Sequence, residues 1–249
     1  MVSGKYSALA GAISREQAVD NIAQNLANVS TSGYKRSQVS FEAILRGQKQ
    51  INEAEGINYT RVSQNRTDFS QGAIKETGNP LDLAIHGPGF FKVMAPGGLR
   101  YTRRGDFVID AEGVLRTRNG LQVLGNGGNQ ILVSGAKNGR LAISKNGDIA
   151  ITAPDGTTSI AGRIGVVDID DSGLLQKEED TTYSLKPEGQ EVPIEEPVVI
   201  SGSIESSNVN MVEEMTGMIN SYRTFETYHK VINSYADIAE HENELGTIG

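Results

Sequence analysis

The chain has 249 residues, a formal net charge of −8 and a hydrophobic fraction of 37%. This length allows one large domain or two small ones, each able to bury a core. The absence of cysteine excludes disulfides and cysteine-ligated metal sites, and the acidic balance argues against a nucleic-acid partner.

Helical periodicity characterises the N-terminus. Apolar residues there are spaced by three and four positions, with one slip in the spacing: Tyr6, Leu9, Ile13, Val19, Ile22, Leu26 and Val29. The run from Ser30 to Gly33 offers local hydrogen bonds and a glycine that tolerates positive φ, which predicts the end of the helix. The first twenty residues contain only a weak apolar run, so we predict neither a cleaved signal peptide nor a membrane span.

The middle of the chain is typical of β-structure. We predict a connecting segment over residues 36–78, with a helical start at Phe41, Ile44 and Leu45 and an irregular continuation. From 79 to 204, short apolar runs such as 89–94 and 106–109 alternate with turn signals such as Asn-Gly pairs. This alternation predicts a sandwich- or barrel-like β domain over residues 79–204.

A heptad pattern marks the C-terminus. Its positions alternate by four and three and read Met211, Met215, Met218, Tyr222, Phe225, His229, Ile232, Ala236 and Ala239. We therefore predict an α+β fold in which N- and C-terminal helices pair as a coiled coil, residues 1–35 and 205–249 forming one discontinuous domain. Two helices alone cannot bury both apolar stripes completely, so we expect neighbouring copies to complete a larger bundle.

One loop carries the residue types of a calcium site. The segment from Asp168 to Glu179 has acidic residues at loop positions 1, 3 and 12 and glycine at position 6, as in an EF-hand. The residues on both sides are strand-like rather than helical, which favours a solvated β-turn. A calcium-dependent surface or adhesion module stays open as the alternative of another class.

No catalytic constellation stands out. Gly87-Pro88-Gly89 matches the start of a dinucleotide fingerprint, but Lys92 occupies the third glycine position and a strand follows. His86, His229 and His241 do not fall at metal-ligand spacings. We predict no enzyme activity, no cofactor and no metal ligand.

Four blocks of the sequence carry a family resemblance. Residues 21–35 read NIAQNLANVSTSGYK and closely resemble the N-terminal signature of bacterial flagellar rod and hook proteins. Residues 81–91 (LDLAIHGPGFF) and 101–107 (YTRRGDF) are similar to the central blocks of that family, and 205–215 (ESSNVNMVEEM) to its C-terminal motif. The blocks occur in the family's order and cover both ends and the middle of the chain.

The resemblance implies a structural subunit of the flagellar basal-body rod, which serves motility and crosses the periplasm. It also implies export through the flagellum's own secretion channel, an inner coiled-coil layer of terminal helices and a β domain outside it. The implied partners are copies of the chain, other rod subunits and the export apparatus. Within the family, the short segment between Phe41 and Asn79 resembles the proximal rod proteins, and the distal rod proteins are the alternative.

The residues expected to carry the assembly interface combine the helical stripes with the turn after the first helix. They are Leu9, Ile13, Val19, Ile22, Asn25, Leu26, Asn28, Gly33, Met211, Met215, Met218, Tyr222, Phe225, His229 and Ile232.

Overall fold

The computed structural model describes residues 2–46, 57–133, 139–179 and 181–246. The chain forms two compact units. We call them the helical unit, from residues 1–27, 37–68 and 210–249, and the β body, from residues 28–36 and 69–209. The predicted α+β class, with terminal helices and a central β-rich region, is confirmed.

The helical unit contains two helices and a β-hairpin. Helix α1 spans Val2–Ala27 and helix α2 spans Met211–Gly246. Strands β1 (Ser37–Arg46) and β2 (Ile57–Thr67) pair antiparallel, with a register shift between Ser40 and Phe41. Asn210 caps α2, because its side-chain oxygen accepts hydrogen bonds from the Val212 and Glu213 amides.

The predicted helical start at Phe41, Ile44 and Leu45 is wrong, since all three lie in strand β1. Local spacing indicated a helix, but the antiparallel ladder with β2 satisfies the backbone of this segment in an extended form. Strand β2 begins only at Ile57, so a short window of sequence around β1 does not contain the partner strand.

The β body contains the remaining strands and a short 3₁₀ helix, Ser172–Leu174. The strands are β3 (Ile74–Glu76), β4 (Leu83–His86), β5 (Phe90–Ala95), β6 (Gly98–Thr102), β7 (Phe107–Ile109), β8 (Leu115–Thr117), β9 (Gln122–Val123), β10 (Arg140–Ile143), β11 (Asp148–Thr152), β12 (Thr158–Arg163), β13 (Val166–Ile169), β14 (Leu175–Lys177), β15 (Thr182–Leu185), β16 (Glu191–Pro193), β17 (Val198–Ser201) and β18 (Ser203–Glu205).

Most of these strands join one nine-stranded sheet. Its main path runs β14-β15-β6-β5-β9-β8-β7, and β13 pairs with both β5 and β16. A second sheet has the order β10-β11-β12, and the pairs β17-β4 and β18-β3 are separate two-stranded ladders. Each of these pairings is antiparallel; β5-β6, β10-β11 and β11-β12 are hairpins joined by short turns, whereas β17-β4 and β18-β3 pair strands that are distant in sequence.

The core of the β body is made of aliphatic and aromatic side chains from these strands. Phe91 and Phe107 meet edge to face at 5.1 Å between ring centroids, an arrangement that stabilises aromatic pairs. The buried members of this cluster are Leu83, Ile85, Phe91, Val93, Phe107, Leu115, Val123, Ile131, Val133, Ile149, Ile151, Ile164, Val166 and Val199.

The turns and the acidic loop fit the sequence pattern. Gly120 and Gly147 have positive φ values of 88° and 81°, as the Asn-Gly turn signals predict. The segment 168–179 contains the end of strand β13, the 3₁₀ helix and strand β14, so it is not the helix-flanked loop of an EF-hand. Asp171 accepts a hydrogen bond from the Gly173 amide and thereby caps the 3₁₀ helix.

Candidate assembly interface and buried junction

The two terminal helices lie against each other antiparallel and in one register. A methyl group on Gly4 would overlap the ring of Tyr235, and one on Gly11 would overlap the ring of Tyr228. Asn25 Nδ2 reaches Glu214 Oε2 at 3.4 Å. A step of seven residues along α1, from Gly4 to Gly11, corresponds to a step of seven residues back along α2, from Tyr235 to Tyr228. The Asn25–Glu214 pair lies fourteen residues further along both helices and keeps the same register.

The face of α1 that turns inward is small and polar. Its buried residues are Ala8, Gly11, Ala12, Ser14, Ala18, Asn21 and Asn25. Such residues let the backbones of two helices approach closely, and the tyrosine rings of α2 lie over the two glycines. Tyrosine rings packed over glycines therefore make part of the contact between the two helices of this chain.

The apolar stripe of α1 lies elsewhere. Leu9 is 45% exposed and Ile13 is 46% exposed, while Val19, Ile22 and Leu26 are half-buried. Pairing of α1 with α2 within one chain thus leaves much of the surface of Leu9 and Ile13 uncovered.

The heptad stripe of α2 is displaced from its inner face by one position. The buried residues are Glu214 and Ser221, whereas the adjacent Met215 and Tyr222 are 49% and 54% exposed. Met211 and His229 are exposed too. Three further members of the predicted seam are half-buried: Met218, Phe225 and Ile232.

Asn25 occupies the centre of a buried polar group in the helical unit. Its Oδ1 accepts from the Ser37 amide at 2.9 Å, and its Nδ2 donates to the Ser37 carbonyl at 2.8 Å. With these two bonds the Asn25 side-chain amide pairs with the Ser37 backbone as a neighbouring strand would, and α1 is joined to the start of β1. The same Nδ2 contacts Glu214, so Asn25 links α1, α2 and the hairpin. Asn25 was predicted as an assembly-interface residue, and the contacts that the structure gives it lie within one chain.

The turn after α1 belongs to the β body. Asn28 Oδ1 accepts from Thr31 Oγ1 at 3.1 Å, and the Asn28 carbonyl accepts from the Thr31 amide at 3.1 Å. Gly33 has a φ of 68°, and its amide donates to the Glu205 carbonyl at 2.8 Å. A Cβ at this position would overlap the Arg103–Arg104 backbone, so the turn requires glycine.

The β body contains a buried ionic cluster. We name it the Glu205 junction, comprising Glu205, Lys35, Arg103 and Gly72. Glu205 Oε1 accepts from Lys35 Nζ at 2.6 Å and from the Gly72 amide at 2.8 Å. Glu205 Oε2 accepts from Arg103 at 3.3 Å. One carboxylate thus joins four segments that are distant in sequence.

The two cations of the junction have further acceptors. Lys35 Nζ donates to the Ser70 carbonyl at 2.7 Å, and Arg103 donates to the Gly87 carbonyl at 2.8 Å. Burial lowers the pKa of the Arg103 guanidinium, and the attraction of the Glu205 carboxylate acts in the opposite direction. The charge-assisted bonds offset the cost of taking three charged groups out of water.

Asn208 adds a second link between the incoming and outgoing chain. Its Oδ1 accepts from the Arg36 amide at 2.7 Å, and its Nδ2 donates to the Ser70 carbonyl at 3.1 Å. Nearby, Lys177 Nζ lies 4.1 Å from the centre of the Tyr34 ring and donates to the Tyr34 hydroxyl at 3.0 Å. Gly33, Tyr34 and Lys35 therefore each make a specific contact.

The Glu205 junction was not predicted from the sequence. Lys35 and Glu205 are 170 positions apart, and charged residues in polar segments are usually solvated. The available signal was their position, since Lys35 ends the first family-like block, Arg103 lies in the third and Glu205 opens the last.

Within the described ranges, neither helix has an apolar stretch long enough to cross a membrane. The acidic and histidine side chains of those ranges do not gather into a group that could hold a metal ion.

Comparisons with known proteins match two regions of this chain to flagellar protein families. Residues 200–245 match the flagellar basal body rod FlgEFG protein C-terminal family, and residues 84–174 match the flagellar hook protein FlgE/F/G D1 domain. The flagellar basal-body rod protein FlgF of Caulobacter vibrioides is 32% identical over 100% of both chains. The rod protein FlgG of Bacillus subtilis is 32% identical over 96% of this chain and 97% of its own. FlgF of Rhizobium meliloti is 30% identical over 91% of this chain and 90% of its own.

Proposed function

Since the chain belongs to the family of bacterial flagellar basal-body rod proteins, we propose that its exposed helical stripe joins it to its neighbours in the rod. The chain is a structural subunit of the rod, and its place is the flagellar basal body. The assembly contacts are what we propose beyond this, and the exposed helical surface described above supports them.

The assembly face consists of the exposed and half-buried apolar residues of the two predicted helical stripes. Its members are Leu9, Ile13, Val19, Ile22, Leu26, Met211, Met215, Met218, Tyr222, Phe225 and Ile232. Full burial of such a side chain contributes about 1.5–3 kcal/mol, so a residue that is half exposed still offers about 1 kcal/mol. Apolar surface left open on a soluble chain marks an interaction site. The chemically matching occupant is the same face of another rod subunit.

The wider set of partners follows from the same proposal. Copies of the chain and other rod subunits contact the assembly face, and the flagellar export apparatus handles the chain before assembly. A proximal position in the rod is supported by the relative named FlgF, which aligns over the full length of both chains. The FlgG of Bacillus subtilis covers slightly less of both chains at the same identity.

The test replaces an apolar residue of the assembly face by a carboxylate. Met218→Asp and Phe225→Asp each place a charge in the proposed interface, where an unpaired carboxylate costs several kcal/mol in every copy. We expect both variants to be absent from purified basal bodies, measured by immunoblot of cells that carry only the variant. Near-ultraviolet circular dichroism of the free chains should show an intact β body.

Asn220→Asp is the matched control, because it adds the same charge at an exposed position of α2 outside the assembly face. This variant should enter basal bodies at the level of the unaltered chain. Equal incorporation of Met218→Asp and Asn220→Asp would contradict the proposed role of the assembly face.

A further inference from the structure

The contacts between α1 and α2 involve residues outside the assembly face, and they determine how the two helices align along their axes. Two glycines of α1, Gly4 and Gly11, receive the rings of Tyr235 and Tyr228, and their spacing of seven residues is the same on both helices. Seven residues are about two helical turns, so a slide of about 10.5 Å brings equivalent faces together again. After a slide in either direction, one tyrosine would still lie over one glycine. The glycine–tyrosine contacts therefore permit more than one alignment.

The buried polar residues distinguish these alignments. Glu214 is 2% exposed and Asn25 is 1% exposed, and they meet only in the observed register. A slide of seven residues in one direction would place Glu214 opposite Ala18, whose methyl group cannot hydrogen-bond. A slide in the other direction would carry Glu214 past Ala27, the last residue of α1. Each shifted register thus separates a buried carboxylate from its amide partner, which is strongly unfavourable.

We propose that Asn25 and Glu214 form a register lock, which restricts the two helices of one chain to a single antiparallel alignment. A buried amide plays this part in coiled coils, where it specifies alignment rather than adding stability. Asn25 suits the task because its other bonds, to the backbone of Ser37, hold its side chain in place. The lock operates within the free chain, so its test does not depend on rod assembly.

The chain contains no cysteine, so introduced cysteine pairs report the register without interference. Ala18→Cys with Ser221→Cys is the in-register pair, since both positions are buried and continue the seven-residue spacing of the observed contacts. Ala8→Cys with Thr224→Cys is the shifted pair, which becomes aligned only after the slide that brings Glu214 opposite Ala18. In the observed register these two cysteines are about seven residues apart along the helix axis, beyond the roughly 7 Å between Cα atoms that a disulfide spans.

The measurement is the fraction of full-length chain that forms an intramolecular disulfide under mild oxidation. With Asn25 and Glu214 present, the in-register pair should cross-link and the shifted pair should not. Asn25→Leu combined with Glu214→Leu should raise cross-linking of the shifted pair by about tenfold or more, because the polar penalty that opposed the slide is gone. Gln24→Leu combined with Glu213→Leu is the control. It changes the exposed neighbours in the same chemical way and should leave the shifted pair unlinked.

Glu214→Met is measured beside the double leucine variant, because it removes the carboxylate and leaves the Asn25–Ser37 bonds intact. It should also raise cross-linking of the shifted pair, and far-ultraviolet circular dichroism identifies any variant that has lost its helices. If a helical Glu214→Met chain, or a helical double leucine chain, links only the in-register pair, the register lock is overturned. The tethering of the helices or the glycine–tyrosine contacts would then set the alignment.

Discussion

The β body and the helical unit place their hydrophobic and polar side chains in opposite ways. In the β body, phenylalanine, isoleucine, leucine and valine fill the core, and the buried carboxylate of Glu205 has partners on both oxygens. In the helical unit, glycine, alanine, serine and asparagine are buried, while Leu9, Met215 and Tyr222 keep about half of their surface exposed. The β body thus buries a continuous apolar core within one chain, whereas the helical unit leaves open the apolar surface that we propose as the assembly face.

The largest effect is expected at the Glu205 junction. Glu205→Leu leaves Lys35 and Arg103 buried without their shared carboxylate, and breaking a buried ion pair costs up to about 5 kcal/mol. We expect the free energy of unfolding of the β body to fall by roughly that amount, measured in urea by near-ultraviolet circular dichroism. Glu226→Gln breaks the exposed pair with Lys230 and should change it by less than about 0.5 kcal/mol. A mild effect of Glu205→Leu would show that the junction does not stabilise the β body.

A matched truncation sharpens the comparison between the two units. Phe91 is fully buried and Tyr222 is 54% exposed. Phe91→Ala should destabilise the free chain by about 4 kcal/mol, since it removes buried apolar surface and leaves a cavity. Tyr222→Ala should cost less than about 1 kcal/mol in the same urea titration. Similar losses from the two truncations would mean that the helical unit buries its stripe within the free chain.

Gly33 tests the turn that leads into the β body. Gly33→Ala combines a positive φ with overlap against the Arg103–Arg104 backbone, so we expect a loss of about 1–3 kcal/mol. Gly120→Ala is the control, because Gly120 has a positive φ of 88° but open space around its Cβ position. Its cost should be about 1 kcal/mol, from the backbone alone. Equal losses at both glycines would remove the close approach as a cause.

The smallest effect is expected at the acidic loop. Asp168 lies in strand β13 and Asp170 follows that strand directly, so the helices of an EF-hand are absent on this side and we expect the fold of the β body to need no ion there. Asp168→Asn together with Asp170→Asn should change stability by no more than about 0.5 kcal/mol. Thermal melting is measured with millimolar calcium and with chelator. A calcium-dependent rise of several degrees, lost in the double variant, would favour the calcium-module alternative.

Local sequence patterns predicted a large part of the fold. The apolar spacing at both ends predicted α1 and α2, and the run 106–109 with its turn signals predicted strand β7. The β1–β2 hairpin was missed, because strand pairing depends on a partner that lies outside the local window. Periodicity also located the apolar stripe of each helix. It did not predict that glycine and asparagine of α1 would contact α2.

The two helices, the turns and the family were predictable from the sequence, because backbone propensity, hydrophobic spacing and glycine conformation act over a few residues. Which helix faces meet and which charged groups are buried depends on the complete fold. Lys35 joins Glu205 across 170 positions, and Asn25 joins Glu214 across 189. The free energy of such contacts depends on desolvation and on partners brought together by the complete fold. Neither is encoded in the identity of a residue or of its neighbours in sequence.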